Sequence, residues 1–130
     1  MHKNKLLLIP LIASFLCGCD ASHYKATVLI TNNQVSQGSI QFHNLEGQYV
    51  LKLKRTAAGE GAISYTATLG TGKIEAVYKV NGGKEQPLFT ITDGQALNEK
   101  AGYVEKGNKV VIILRTEGSA NEGSFTFNVN

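Results

Sequence analysis

Residues 62–80, AISYTATLGTGKIEAVYKV, decide the fold class. Hydrophobic and polar residues alternate through Ala62–Leu69 and again through Lys73–Val80, and Gly70-Thr71-Gly72 separates the two runs. Such alternation places every second side chain on one face of a β-strand, and glycine supplies the positive φ that tight turns need. The stretch therefore predicts two consecutive strands, each with one buried face.

Outside this stretch, six further runs are strand-like: Tyr24–Thr31, Ser39–Leu45, Gln48–Thr56, Pro87–Thr92, Lys109–Arg115 and Ser124–Val129. Turn signals such as Asp93-Gly94 and a loop at Glu117–Gly123 separate them, and Gln95–Tyr103 has room for one helical turn at most. About eight short strands at this spacing predict an all-β fold. We expect an antiparallel β-sandwich, with a small β-barrel as the alternative.

The chain has 130 residues, the size of a single domain, and a formal charge of +3. Without residues 1–18, which contain Lys3 and Lys5 and no acidic residue, the charge falls to +1. The remaining charges are interspersed, and the one basic cluster is Lys52, Lys54 and Arg55. Because nucleic-acid binding needs a basic stripe, we do not expect a nucleic-acid partner.

The N-terminus has the pattern of an export signal. A short basic segment is followed by an apolar run, Leu6 to Phe15, of the length of a signal-peptide core and too short to span a bilayer as a helix. Leu16-Cys17-Gly18-Cys19 then resembles the lipobox of bacterial lipoproteins. Cys17 stands where the lipobox usually has Ala or Ser, and an ordinary secretory signal with a free Cys19 is the alternative.

This resemblance implies lipidation of Cys19, with a diacylglycerol and an N-linked acyl chain such as palmitate. Separately, we expect no cofactor. Residues 1–18 would be the cleaved signal peptide, 19–23 the lipidated cysteine and short tether, and 24–130 one β-sandwich domain. Two or more acyl chains make membrane attachment stable. We therefore expect a cell-membrane lipoprotein on the exported side, periplasmic or extracellular, and a domain with no disulfide.

Candidates for catalysis or metal binding are few. His43 falls on the polar face of a strand, where a solvated side chain is the usual outcome. Asp93, Asn98 and Glu99 offer oxygen atoms near a glycine, but their spacing matches no defined calcium loop. No catalytic triad or clustered metal-ligand set is evident, so we predict no catalytic residues, no metal site and no enzyme activity.

Tyr49, Tyr65 and Tyr78 fall in register with core positions, whereas Tyr103 lies outside the alternating runs. Tyr103, with Lys106, is therefore the predicted contact site. The phrases GAISYTATLG, PLFTI, GYVEKG and GSFTFNV within residues 61–129 are similar to an all-β module of small, mostly uncharacterised bacterial lipoproteins, which implies no activity. Tyr103-x-x-Lys106-Gly107 also resembles a motif of membrane-bound lysozyme inhibitors, but their disulfide and nearby Trp are missing here.

The sequence thus predicts a membrane-anchored, non-enzymatic binding or interaction module at the cell envelope, with an envelope protein or glycan as its partner. A small inhibitor of the lysozyme-inhibitor type, or an immunity-type lipoprotein, is the alternative.

Overall fold

The computed structural model describes residues 21–130, so the lipobox and Cys19 lie outside the described residues. All regular elements within 21–130 are strands: β1 (His23–Lys25), β2 (Val28–Asn33), β3 (Gln37–His43), β4 (Leu45–Lys54), β5 (Glu60–Thr71), β6 (Lys73–Val80), β7 (Gln86–Thr92), β8 (Ala96–Glu105) and β9 (Lys109–Asn128). This part of the chain contains no helix with the length and apolarity to cross a bilayer.

The nine strands form one antiparallel sheet that folds over into two layers. Layer A has the order β1-β4-β9-β6-β7, and layer B has the order β2-β3-β9-β5-β8. Strand β9 is central to both, since its first half pairs in layer A and its second half in layer B. The predicted all-β, sandwich-like antiparallel fold is confirmed.

The fold-over happens at a common corner, where β3 continues into β4, β5 into β6, and β9 passes between the layers. At each crossing the inward-facing set changes parity, from Phe42 to Leu45 and from Leu69 to Ile74, for example. One extra residue in a strand produces such a shift, and it needs unusual backbone angles. Asn44 (φ 53°) and Gly72 (φ 104°) supply them on two of the strands.

Side-chain oxygens satisfy backbone N–H groups that the corner removes from the ladders. Asn121 Oδ1 accepts from the Asn44 N–H at 3.0 Å, and Thr116 Oγ1 accepts from the Gly47 N–H at 2.8 Å. Asp93 Oδ1 accepts from the Gly72 N–H at 2.5 Å. The bend therefore leaves all three donors paired, as the half-buried N–H groups of Gly47 and Gly72 require.

Three local predictions were wrong. Glu117–Gly123 is part of β9 rather than a loop, because Ser119, Ala120 and Asn121 keep register with neighbouring strands through the corner. Gln95–Tyr103 is largely strand β8, paired with β5, instead of a possible helical turn. The predicted run Tyr24–Thr31 is divided between β1 and β2, which pair in different layers. The count is therefore nine strands.

The core lies between the layers and is aromatic at its centre. Phe125 and Phe127 of β9 point inward from layer B, and Phe89 of layer A stacks against Tyr65 of layer B at 4.5 Å between ring centroids. The predicted core positions Tyr49, Tyr65 and Tyr78 are all buried. Rings that interdigitate across the two layers fix their separation, because a packed interior tolerates few voids.

Arg55 closes the end of the sandwich opposite the corner. Its side chain is 5% exposed, and its guanidinium donates to the carbonyl oxygens of Ala58, Gly59 and Val129 at 2.9–3.2 Å. A Cβ at Gly61 would lie 2.6 Å from the guanidinium, so glycine provides the space. Arg55, one of the three residues of the basic cluster Lys52, Lys54 and Arg55, therefore has a structural role.

At Gly123 the core lies directly against the backbone of β9, because a Cβ there would lie 2.1 Å from Cζ of Phe42. We expect Gly123→Ala to lower the free energy of unfolding by about 1–3 kcal/mol through overpacking. In the Phe42→Leu background the same change should cost at least about 1 kcal/mol less, because the ring edge is gone. Urea denaturation of the four proteins measures this coupling.

Gly118→Ala is the matched control. Gly118 also lies in β9 and has φ 73°, but open space surrounds its Cβ position. The losses in free energy of unfolding caused by Gly118→Ala and Phe42→Leu should therefore be additive within about 0.5 kcal/mol. Additivity at Gly123 as well would contradict the proposed contact.

Candidate binding surfaces

The predicted contact residues Tyr103 and Lys106 lie at the edge of layer B, far from the corner. Tyr103 is 53% exposed on β8, and Lys106 is exposed in the turn between β8 and β9. The Tyr103 hydroxyl donates to Oε2 of Glu105 at 2.7 Å. This bond, with smaller contributions from desolvation and from the negative charge of Glu105 and Glu60, raises the pKa of Tyr103 to about 12.

The raised pKa of Tyr103 can be tested through the protonation state of its phenol. Its phenol should stay protonated at pH 10, where a free tyrosine is about half ionised, because the phenolate would face two carboxylates. In Glu105→Gln the pKa should fall toward about 10. NMR titration of ¹³C-labelled tyrosine measures both values. Glu75→Gln, in the other layer, is the control and should leave the Tyr103 pKa unchanged; equal shifts in both variants would contradict this assignment.

Asp93 and Glu99, the carboxylates considered for calcium, serve separate local contacts. Asp93 accepts the hydrogen bond from the Gly72 N–H at the corner. Glu99 lies on β8 and accepts a hydrogen bond from the Tyr65 hydroxyl at 3.5 Å. Burial, followed by the charge and hydrogen bond of Glu99, raises the pKa of Tyr65. Asn98 and Glu99 point to opposite faces, since they are neighbours in one strand. Residues 21–130 contain no group of three or more metal-ligating side chains.

The outer surface of layer B carries rows of polar side chains that are mostly uncharged, with Lys100 opposite Ser64. Register places Ser39, Thr126, Thr66 and Asn98 in one row across four strands, and Gln41, Ser124 and Thr68 in the next. We call the following set the polar face: Ser39, Gln41, His43, Ser64, Thr66, Thr68, Asn98, Ser124 and Thr126. All nine are exposed or half-exposed, and none carries a carboxylate.

A shallow depression marks the end of the polar face nearest the corner. Its volume is about 260 Å³, and Val28, Ile30, Gln41, His43 and Glu122 are among its lining residues. Ile30 is 57% exposed, so an apolar rim from the edge strand β2 borders polar groups of β3. The depression combines apolar contact with hydrogen-bond donors and acceptors, which is what small polar ligands need.

Sequence reasoning treated these polar residues only as the solvated half of each alternating strand. The alternation predicted which side chains of β3, β5 and the end of β9 face outward, including His43. The alternation did not show which strands lie side by side in the sheet, because local patterns do not give the register between distant segments. The sequence feature that could have indicated the polar face was the shared preference for Ser, Thr, Asn and Gln at the outward positions.

The outer surface of layer A is different in character. Arg115 donates to both carboxylate oxygens of Glu85, at 2.9 and 2.5 Å, and its Nε donates to Oε1 of Gln48 at 2.8 Å. Gln48 in turn donates from Nε2 to the Ala21 carbonyl at 2.9 Å. This network connects the beginning of the described chain to the middle of layer A.

No known protein family and no curated protein matches this sequence. The fold is similar to the Paenibacillus sp. cycloisomaltooligosaccharide glucanotransferase complexed with cycloisomaltoheptaose (10% identity, TM-score 0.47, 85% of this chain and 17% of that chain). It is also similar to the Podospora anserina GH26-CBM35 β-(1,4)-mannanase (16%, 0.45, 85% and 28%). This chain thus spans less than a third of either protein.

A third similar structure is TmCBM61 in complex with β-1,4-galactotriose, at 12% identity and a TM-score of 0.45, with 88% of this chain and 90% of that chain covered. At these identities and TM-scores the likeness extends to the all-β architecture and no further.

Proposed function

We propose that this protein is an exported lipoprotein, attached to the cell membrane through Cys19, that acts as a non-enzymatic binding module at the cell envelope. The support for the anchor is the Leu16-Cys17-Gly18-Cys19 sequence behind an apolar signal core. The support for binding rather than catalysis is the polar face, which offers hydrogen-bonding groups on ordered strands.

The ligand that suits the polar face best is a neutral glycan. Serine, threonine, asparagine and glutamine each both donate and accept hydrogen bonds, as sugar hydroxyls do. The serine and threonine side chains of the polar face are short, so they lose little conformational freedom when they bind. Val28 and Ile30 would cover the apolar C–H surface of a sugar ring.

Removal of single hydroxyls tests the glycan proposal. Thr66→Val and Thr126→Val retain the β-branched shape, so they suit strands, but each deletes a hydrogen-bonding group. We expect each to weaken glycan affinity about 2- to 10-fold, the equivalent of one hydrogen bond of about 0.5–1.5 kcal/mol. NMR titration with a panel of neutral oligosaccharides measures affinity and maps the shifted residues.

Thr90→Val is the matched control, because Thr90 is an exposed threonine on β7 of layer A. The Thr90→Val protein should bind each oligosaccharide with the same affinity as the unchanged protein. A panel that shifts only residues outside the polar face, or no residue at all, would reject the glycan proposal.

The lipid anchor has its own test. In cells fed labelled palmitate, the protein should carry the label and remain with the membrane fraction, and Cys19→Ala should lose both properties because the acceptor thiol is absent. Mass spectrometry of the membrane form should show a chain that begins at a modified Cys19. An unmodified Cys19 in an exported, soluble chain would favour the ordinary secretory signal instead.

A further inference from the structure

The outer surface of layer A ends in a group of lysines away from the corner. Lys52 and Lys79 lie on either side of Val111 in one row, and Lys54 lies directly opposite Lys109 in the next. We call Lys52, Lys54, Lys79 and Lys109 the lysine face. Lys52, Lys54 and Lys109 are exposed, so their ammonium groups are open to a ligand.

Three of these lysines have no carboxylate partner in the described chain. Within residues 21–130, Lys52, Lys54 and Lys109 form no ion pair. Like charges directly opposite each other on paired strands, as at Lys54 and Lys109, are destabilising. An external anion that lies over both would remove this repulsion.

The beginning of the described chain lies beside the same surface. Ser22 Oγ accepts from the Val50 N–H at 2.9 Å, and Ala21 and Ser22 line a surface depression with Lys52. The predicted tether, residues 19–23, is therefore fixed to the domain from Ala21 onward, and His23 already belongs to β1. Cys19 precedes Ala21 by two residues, which span at most about 7 Å.

We infer that the lysine face lies against the anionic phospholipid headgroups of the membrane that carries the anchor. This inference rests on the proposed attachment through Cys19, since an anchor within about 7 Å of Ala21 brings Lys52 to the bilayer surface. Positive charges close to an anionic leaflet are attracted, with an effect that fades over about 8 Å at physiological ionic strength. The polar face, on the other layer, then points away from the membrane.

Vesicle binding by an unlipidated chain tests the inference without the anchor. Residues 21–130 contain both layers and the core, so a chain that starts at residue 19 and carries Cys19→Ser retains the fold elements; circular dichroism checks this. At low ionic strength it should sediment with vesicles of phosphatidylglycerol and phosphatidylcholine, and not with pure phosphatidylcholine vesicles. Salt should reverse the binding.

The combined variant Lys52→Gln, Lys54→Gln and Lys109→Gln should bind the anionic vesicles about 100-fold more weakly, since each lysine near the surface contributes roughly a factor of five. The control variant carries Lys25→Gln, Lys73→Gln and Lys100→Gln and has the same net charge. Because Lys25 and Lys73 lie at the corner end of layer A and Lys100 lies on layer B, its affinity should fall no more than about 3-fold.

Equal losses in the two variants would mean that net charge alone drives binding and would overturn the inference. Equal binding to neutral vesicles, or no binding to anionic ones, would overturn it as well. These failures are distinct from failure of the proposed function, because palmitate labelling depends on Cys19 and glycan titration depends on the polar face.

Discussion

The fold depends on one constraint, which is that β9 must serve as the central strand of both layers. Its twenty residues pair with four other strands, so the backbone has to turn from one layer into the other without losing its hydrogen-bonded neighbours. Gly118 and Glu122 reach positive φ within it, and the adjoining strands bend at Asn44 and Gly72. The corner is therefore a line of neighbouring backbone bends across the sheet rather than a set of loops.

This constraint also explains where polar side chains are used structurally. A bulge frees backbone N–H groups, and an unpaired buried donor costs about 1–3 kcal/mol. Asn121, Thr116 and Asp93 accept such donors at the corner, and Arg55 supplies donors to free carbonyls at the opposite end. Asp93, considered above as a calcium ligand, and Arg55, part of the one basic cluster, are thus committed to the ends of the sandwich.

The sequence predicted the strands whose two faces differ in hydrophobicity, and it predicted the buried tyrosines, because period-two alternation reports burial directly. It did not predict β8, since Ala96–Glu105 is an edge strand in which only Val104 is fully buried. Gly70-Thr71-Gly72 and Glu117–Gly123 carry the residues of a turn, and a bulged corner needs the same positive φ values. Local chemistry therefore could not separate a hairpin from a strand that changes layer.

The same limit applies to the binding surfaces. Tyr103 stood out because it interrupted a pattern, yet its hydroxyl is already bonded to Glu105. The polar face and the lysine face become visible only when distant strands are placed side by side, as Thr66 beside Thr126 and Lys54 beside Lys109.

The polar face and the lysine face give the outer surfaces of the two layers different chemical properties. Layer A carries the lysine face and the bonds to Ala21, and layer B carries the polar face on the opposite outer surface, with the core between the two layers. The proposed membrane attachment and the proposed glycan binding would each use one of these surfaces, because one surface cannot face both. The fold-over of β9 produces this arrangement, since the two halves of that strand give their outward side chains to opposite sides of the molecule.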